Sequence, residues 1–372
     1  MGVGRRAALA ALALALAACG GNADPRPEGS TGPSVTPSAT ATPSRTSAPT
    51  SPRATPEHPP TATTAAPEGL RLDHEPLVDR VLAISVDGLN PQAILELGPE
   101  GAPSFHELAR EAAGTLDART EYELTVTLPN HTGMLTGRRV DPALGGHGVV
   151  VNDDLGGTVH DAAGEPVASV FDVVHDAGGT TALFASKEKF AFFDRSWPAI
   201  DRYTVDLDNP ELVDLVVADL ADQERTFTFL HLSAPDVAGH ADGWMSPSYL
   251  DAVREVDRLL GELLDAVDHA GPSVAVVLTA DHGGQGPGHG DPTVPADYTV
   301  PFFVRAPGVP GGTDLYDLNP QLRDPGAARP PYDGPQPVRN GDLANLVTDL
   351  LGLPAVPGST LDAAQDLEVT RH

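Results

Sequence analysis

Apolar runs that stop at a carboxylate recur along this chain. Residues 80–87, Arg-Val-Leu-Ala-Ile-Ser-Val-Asp, read as a buried parallel strand because the run is continuously apolar rather than alternating. Residues 226–232 run into Ala234-Pro235-Asp236, and residues 273–279 run into Ala280-Asp281-His282. Further strands are predicted at 147–151, 180–184 and 299–304. Helical spacing predicts helices at 103–113, 168–177, 210–222 and 340–351. The longest spans 246–270, with Leu250, Val253, Val256, Leu259, Leu260, Leu263 and Leu264 on one side. Thr125-Val126-Thr127 leads into Leu128-Pro129-Asn130-His131, where a proline suits the first turn of a helix. Strands alternating with helices predict a three-layer α/β/α sandwich around a mostly parallel sheet. Ligands in such folds bind at the carboxyl ends of the strands, where Asp87, Asp236 and Asp281 stand.

The pattern breaks down before residue 75. Arg5 and Arg6 precede an apolar stretch, residues 7–15, too short to span a bilayer, so residues 1–19 read as an export signal. Leu16-Ala17-Ala18-Cys19 resembles a bacterial lipobox, in which the cysteine is lipidated; a plain signal peptide with an incidental cysteine is the alternative. Residues 20–74 are rich in Pro, Thr, Ser and Ala and offer little to fill a core, so they read as an extended tether. These segments predict a protein held on the outer face of a bacterial membrane. Residues 75–366 form the expected globular unit, with 367–372 as a tail. Cys19 is the single cysteine, so disulfides and thiolate metal sites are excluded. The net charge of −29 repels nucleic acid polymers but leaves small phosphorylated molecules open as substrates wherever a bound cation would supply a local positive field.

Three Asp and three His, the oxygen and nitrogen donors that zinc prefers outside thiolate sites, stand at or near these strand ends: Asp87, Asp236, His240, Asp281, His282 and His289. A carboxylate at the end of a buried strand is costly unless neutralised, and a metal would do so; a loop or cap aspartate reads the same taken alone. Asp236 and His240 lie four apart and would share one helical face, or be a cap and a solvent histidine. Gly283 and Gly284 after Asp281-His282 allow close approach of backbone and substrate. Thr127 fits a helix N-cap, and equally a hydroxyl facing a phosphate at the positive end of a helix. Lys187 and Lys189, the chain's two lysines, read as a solvated loop in preference to a phosphate clamp.

Together, Val-Asp87-Gly, Thr127-Leu-Pro-Asn-His, His147-Gly148, Pro235-Asp236-x-x-Gly-His240 and Asp281-His282-Gly283-Gly284 resemble the alkaline phosphatase superfamily. The similarity is greatest to its type I phosphodiesterase and nucleotide pyrophosphatase branch. It covers roughly residues 80–355, with Leu128 where that branch has Phe. The resemblance implies Thr127 as nucleophile and a two-zinc site. Asp87, Asp281 and His282 with the Thr127 oxygen would hold one ion; Asp236, His240 and His289 would hold the other. Asn152 aligns with a phosphate-holding asparagine, across a short insertion at 142–146. The implied activity is hydrolysis of phosphodiesters or nucleotide pyrophosphates through a phosphothreonine. A phosphomonoesterase would add a further cation, for which Arg138 and Arg139 are candidates. A sulfatase needs a Cys or Ser converted to formylglycine, which Thr127 cannot supply. A non-catalytic binding lipoprotein is the alternative from another class, and the complete ligand set argues against it.

Overall fold

The computed structural model describes residues 73–371. The export signal, Cys19, His372 and nearly all of the Pro/Thr/Ser-rich segment lie outside the described residues. Eight strands form one sheet: β1 (Arg80–Val86), β2 (Ala113–Arg119), β3 (Thr181–Ala185), β4 (Arg202–Val205), β5 (Phe227–Leu232), β6 (Val274–Thr279), β7 (Thr299–Arg305) and β8 (Thr313–Asp314). Their spatial order is β4-β3-β5-β1-β6-β7-β2-β8. The five from β4 to β6 run parallel, as the apolar runs predict. β7 is antiparallel to both β6 and β2.

β1 sits centrally, with Ala83 opposite Phe229 of β5 on one side and Val277 of β6 on the other. Every residue of β3, β5 and β6 is buried, the condition for a sheet covered on both faces. Helices Pro91–Gly101, Pro103–Glu111, Asn209–Asp222 and Pro247–Ala270 pack with one another, and Thr127–Thr136, Val170–Asp176 and Leu343–Leu350 form a second group; both groups touch β6. The longest helix, Pro247–Ala270, buries Tyr249, Val253, Val256, Leu259, Leu260, Leu263, Leu264 and Val267 at three- and four-residue spacing. Ser246 caps it by accepting from Tyr249 N at 3.2 Å, a contact worth about 1 kcal/mol. Among the described residues, no helix is long and apolar enough to cross a membrane.

Some expectations fail for identifiable reasons. Residues 147–151 are not a strand: Gly148 takes φ +72°, its N–H bonds Val140 O at 2.9 Å, and Val150 and Val151 face solvent. β2 carries no apolar run, since Ala-Gly-Thr-Leu-Asp-Ala-Arg is mixed, and β4 is a four-residue edge strand whose residues are all half-buried. The polypeptide beyond 366 is packed rather than a free tail. Leu367 and Val369 are buried, and Glu368 exchanges two 2.8 Å hydrogen bonds with the Asn319 side chain.

Candidate metal centre

β1, β5 and β6 lie side by side, so their carboxyl ends bring Asp87, Asp236 and Asp281 together although up to 194 positions separate them. Asp236 falls in the first turn of the helix Ala234–Asp242, which also carries His240. The two share a face as their spacing predicts, with His240 Nε2 3.4 Å from Asp236 Oδ1. Gly88 makes the convergence possible. It has φ +72°, and a Cβ there would stand 2.9 Å from Asp236 Cα.

Each carboxylate is held by one oxygen and bare on the other. Asp281 Oδ1 accepts from Gly88 N at 3.0 Å and from His282 N at 2.9 Å. Asp87 Oδ2 accepts from His231 Nε2 at 2.8 Å and Lys187 Nζ at 2.6 Å. Asp236 Oδ2 accepts from the same Lys187 Nζ at 2.6 Å. Asp87 Oδ1, Asp236 Oδ1, Asp281 Oδ2 and His282 Nε2 are buried and have no hydrogen-bond partner among the described residues. They face each other: His282 Nε2 lies 3.4 Å from Asp87 Oδ1, 3.2 Å from Asp281 Oδ2 and 3.9 Å from Asp236 Oδ1. Four converging lone-pair donors fit a divalent cation, because burying unpaired carboxylate oxygens otherwise costs several kcal/mol.

The histidines are turned the same way. His282 Nδ1 donates to Gly283 O at 2.9 Å and His289 Nδ1 to Thr125 O at 2.6 Å, which leaves both Nε2 lone pairs aimed at the cluster. Burial, and for His289 also the neighbouring His282, push each down to about 4, so both are neutral donors at neutral pH. Two groups of three donors result, Asp87/Asp281/His282 and Asp236/His282/His289. His240, whose side chain is half exposed, approaches the second group, its Nε2 3.1 Å from His289 Nε2. All six expected Asp and His residues therefore come together, His289 included.

Thr127 is the first residue of the helix Thr127–Thr136. Two contacts stitch its strand-like lead-in to the cluster: Thr125 Oγ1 donates to His289 O at 2.5 Å, and Thr125 O accepts from His289 Nδ1. His131 Nδ1 donates back to Thr127 O at 2.8 Å and lies 3.6 Å from Asp281 Oδ2. Asn152 Oδ1 accepts from Leu128 N at 2.9 Å, which leaves its amide N–H groups available beside Thr127.

Burial alone would push Asp87 up, but Lys187, His231 and His282 hold it well below the usual carboxylate range. Burial pushes Asp281 well above that range, reinforced by the charge of Asp87. Asp236 is raised by the same two causes. Burial would lower Lys187, but Asp87 and Asp236 outweigh it and raise the ammonium.

The solvated-loop reading of the two lysines is overturned. Lys187 bridges Asp87 and Asp236, and Lys189 Nζ donates to Asn152 O at 2.7 Å. The loop follows the carboxyl end of β3, beside β5, so topology delivers it to the site. Arg138 and Arg139 are engaged elsewhere: Arg138 pairs with Glu165 and Pro357 O, and Arg139 with Glu123. His231 and Trp244 escape a reading of the sequence, since one is an interior residue of a buried strand and the other lies outside any motif. Trp244 Nε1 donates to Gly88 O at 2.9 Å, and its ring packs 5.1 Å from His240 and 5.5 Å from His289.

An α/β sandwich with Asp/His clusters at the ends of its central strands defines a member of the alkaline phosphatase superfamily. The chain belongs to the type I phosphodiesterase / nucleotide pyrophosphatase family, whose model matches residues 81–287. Mouse ectonucleotide pyrophosphatase/phosphodiesterase family member 1 is 24% identical over 222 residues, 54% of this chain and 24% of that one. A 2,3-bisphosphoglycerate-independent phosphoglycerate mutase of Halobacterium salinarum is 28% identical over 182 residues, 47% of this chain and 30% of that one. The chain thus spans about a quarter to a third of the length of these two curated relatives. Among solved structures, inactive murine ectonucleotide pyrophosphatase/phosphodiesterase 5 in complex with AMP superposes with TM-score 0.54 at 15% identity, covering 75% of this chain and 96% of that one. A 2-O GAG sulfatase superposes with TM-score 0.60 at 13% identity, covering 79% and 75%. At such identities these two likenesses speak for the fold.

Proposed function

We propose that this protein is an exported, lipid-anchored phosphoesterase that hydrolyses phosphodiesters or nucleotide pyrophosphates through a phosphothreonine on Thr127. The observation that carries the reading is the set of four buried donor atoms without a partner among the described residues, Asp87 Oδ1, Asp236 Oδ1, Asp281 Oδ2 and His282 Nε2, facing one another. Asp87, Asp281 and His282 would hold one divalent ion, and Asp236, His240 and His289 a second, with Zn²⁺ the match to this donor set. Bound there, such ions supply positive charge for the phosphoryl oxygens and lower the pKa of a hydroxyl beside them.

Thr127 Oγ1, once deprotonated, attacks phosphorus; the Oγ1–P bond forms as the bond to the leaving oxygen breaks, and that oxygen takes up a proton as it departs. Water then attacks the phosphothreonine, the Oγ1–P bond breaks, and Thr127 is regenerated. Asn152, its Oδ1 fixed by Leu128 N, would donate its N–H groups to a phosphoryl oxygen. The His131 and Thr125 hydrogen bonds hold the first turn of the helix, and with it Oγ1, in place.

Lys187 and Lys189 favour a second reading of the substrate. Two divalent ions offset three carboxylates and an alkoxide, so these ammonium groups leave the site net positive. That favours a phosphate carrying additional negative charge, a monoester or a substrate with a second anionic group. Cys19 would anchor the chain to the outer face of the membrane.

The test is turnover by the purified protein, supplied with Zn²⁺, of bis-p-nitrophenyl phosphate, p-nitrophenyl thymidine phosphate, p-nitrophenyl phosphate and nitrocatechol sulfate. The diesters are expected to turn over fastest. Faster monoester hydrolysis selects the second reading, sulfate hydrolysis alone makes it a sulfatase, and no turnover of any leaves a binding protein. Thr127→Ala is expected to abolish turnover while retaining bound metal; near-normal rates would remove Thr127 as nucleophile. Cys19→Ala is expected to move the protein from the membrane to the soluble fraction.

A further inference from the structure

β5 is a fully buried strand, Phe-Thr-Phe-Leu-His-Leu, and His231 is its one ionisable residue. A buried imidazole in such a strand must satisfy both nitrogens. A histidine that does so with backbone groups alone is structural filler; this one gives Nε2 to a carboxylate of the metal cluster. Ser186 N–H is shared between His231 O at 3.2 Å and His231 Nδ1 at 3.3 Å, and a backbone N–H can only donate. Nδ1 is therefore the acceptor, the ring proton resides on Nε2, and Nε2–H donates to Asp87 Oδ2 at 2.8 Å.

Asp87 Oδ2 has a second donor, Lys187 Nζ, at the end of a four-carbon chain with 17% of its side chain exposed. His231 differs from it. Its ring is fully buried, with its centroid 4.2 Å from Phe190 and 5.0 Å from His131, and its backbone lies in register between Ser85 of β1 and Ala185 of β3. The imidazole is the rigid contact. It fixes the plane of the Asp87 carboxylate so that Oδ1 is the oxygen turned towards His282 Nε2, 3.4 Å away.

We propose that His231 is a positioning residue for the metal centre: it assigns Asp87 Oδ1 to the cation by occupying Oδ2. The proposal rests on the metal-dependent reading above and adds a residue that touches neither substrate nor metal. Outer-sphere partners of this kind are typically worth about 10–100-fold in metal affinity.

The test measures Zn²⁺ affinity and stoichiometry without substrate, by competition with a chromogenic chelator, for the full chain and three variants. His231→Gln places an amide N–H near the Nε2 position, so it is expected to stay close to the wild-type affinity. His231→Asn, one methylene shorter, and His231→Leu, with no donor, are expected to weaken one of the two ions by about 10–100-fold. Thermal melting of the metal-free proteins separates this from lost folding, and either short variant suffices if the other does not fold. Equal affinities in wild type, His231→Gln and a folded short variant overturn the proposal and leave the phosphoesterase reading standing. So does a His231→Gln that binds as weakly as the short variants. A wild-type protein that takes up no metal overturns both.

Discussion

At the scale of the residue, this protein handles buried carboxylates in two ways. Those of the centre converge on one another, each with one oxygen accepting protein hydrogen bonds and the other turned into the cluster. Glu121 is the other kind. It is fully buried; Oε2 accepts from Tyr332, while Oε1 has no partner among the described residues and is pressed by the backbone at Gly133 and Gly341, where a Cβ would stand 2.1 and 2.7 Å away. Burial raises it from 4.5 to about 8, against a smaller lowering by the Tyr332 bond. Below about 4.5 the carboxyl is neutral folded or unfolded, and its contribution is fully present. Between 4.5 and 8 the unfolded chain ionises and the folded one does not, so stability falls with rising pH, by at most about 1.4 kcal/mol per unit. Above 8 the loss is complete. Urea denaturation at several pH values is expected to show a shallower decline between pH 5 and 8 for Glu121→Gln than for wild type, and an identical decline would refute this account of Glu121.

At the scale of the element, turns after the central strands do the aiming. The Asp281-His282-Gly283-Gly284 turn runs over the Trp244 ring so closely that a Cβ on Gly284 would stand 2.3 Å from it, and one on Gly283 would stand 2.1 Å from Ala296 O. Gly284→Ala must therefore displace either the turn or the indole. It is expected to cost about 1–3 kcal/mol in denaturation experiments, as overpacking does, and to weaken metal binding, because the indole also packs against His240 and His289. An unchanged melting temperature and metal affinity would show that the turn has slack. The strands that carry the site were readable in the sequence because each is an apolar run broken by a carboxylate, a contrast that burial enforces. Its other contributors were less legible. His231 hides inside such a run, where a single polar residue looks like filler, and Lys187 lies in a polar stretch whose local pattern is that of any exposed loop. Residues 147–151 misled in the opposite sense, since Val-Val-Val looks like a strand until Gly148 turns the backbone away.

At the scale of the whole molecule, the sandwich class followed from the alternation of strands and helices, but the strand order did not. Order depends on long-range pairing, and no local pattern announces that β7 reverses direction beside β6 or that β5 lies between β3 and β1. That placement of β5 is what carries the β3 loop, and Lys187 with it, to the metal cluster. Surface charge was legible as a sum but not as a distribution. In a chain of net charge −29, both lysines stand at the centre: one bridges two of its carboxylates and the other bonds the backbone of Asn152. Reagents that acylate primary amines thus have two side-chain targets in the entire polypeptide, two positions apart: Lys187, held as an ammonium by Asp87 and Asp236, and Lys189, lowered by burial and therefore the readier to react. Amine labelling, ordinarily a blunt probe of protein surface, becomes in this protein a probe of one short loop, the one that Lys187 and Lys189 tie to Asp87, Asp236 and Asn152.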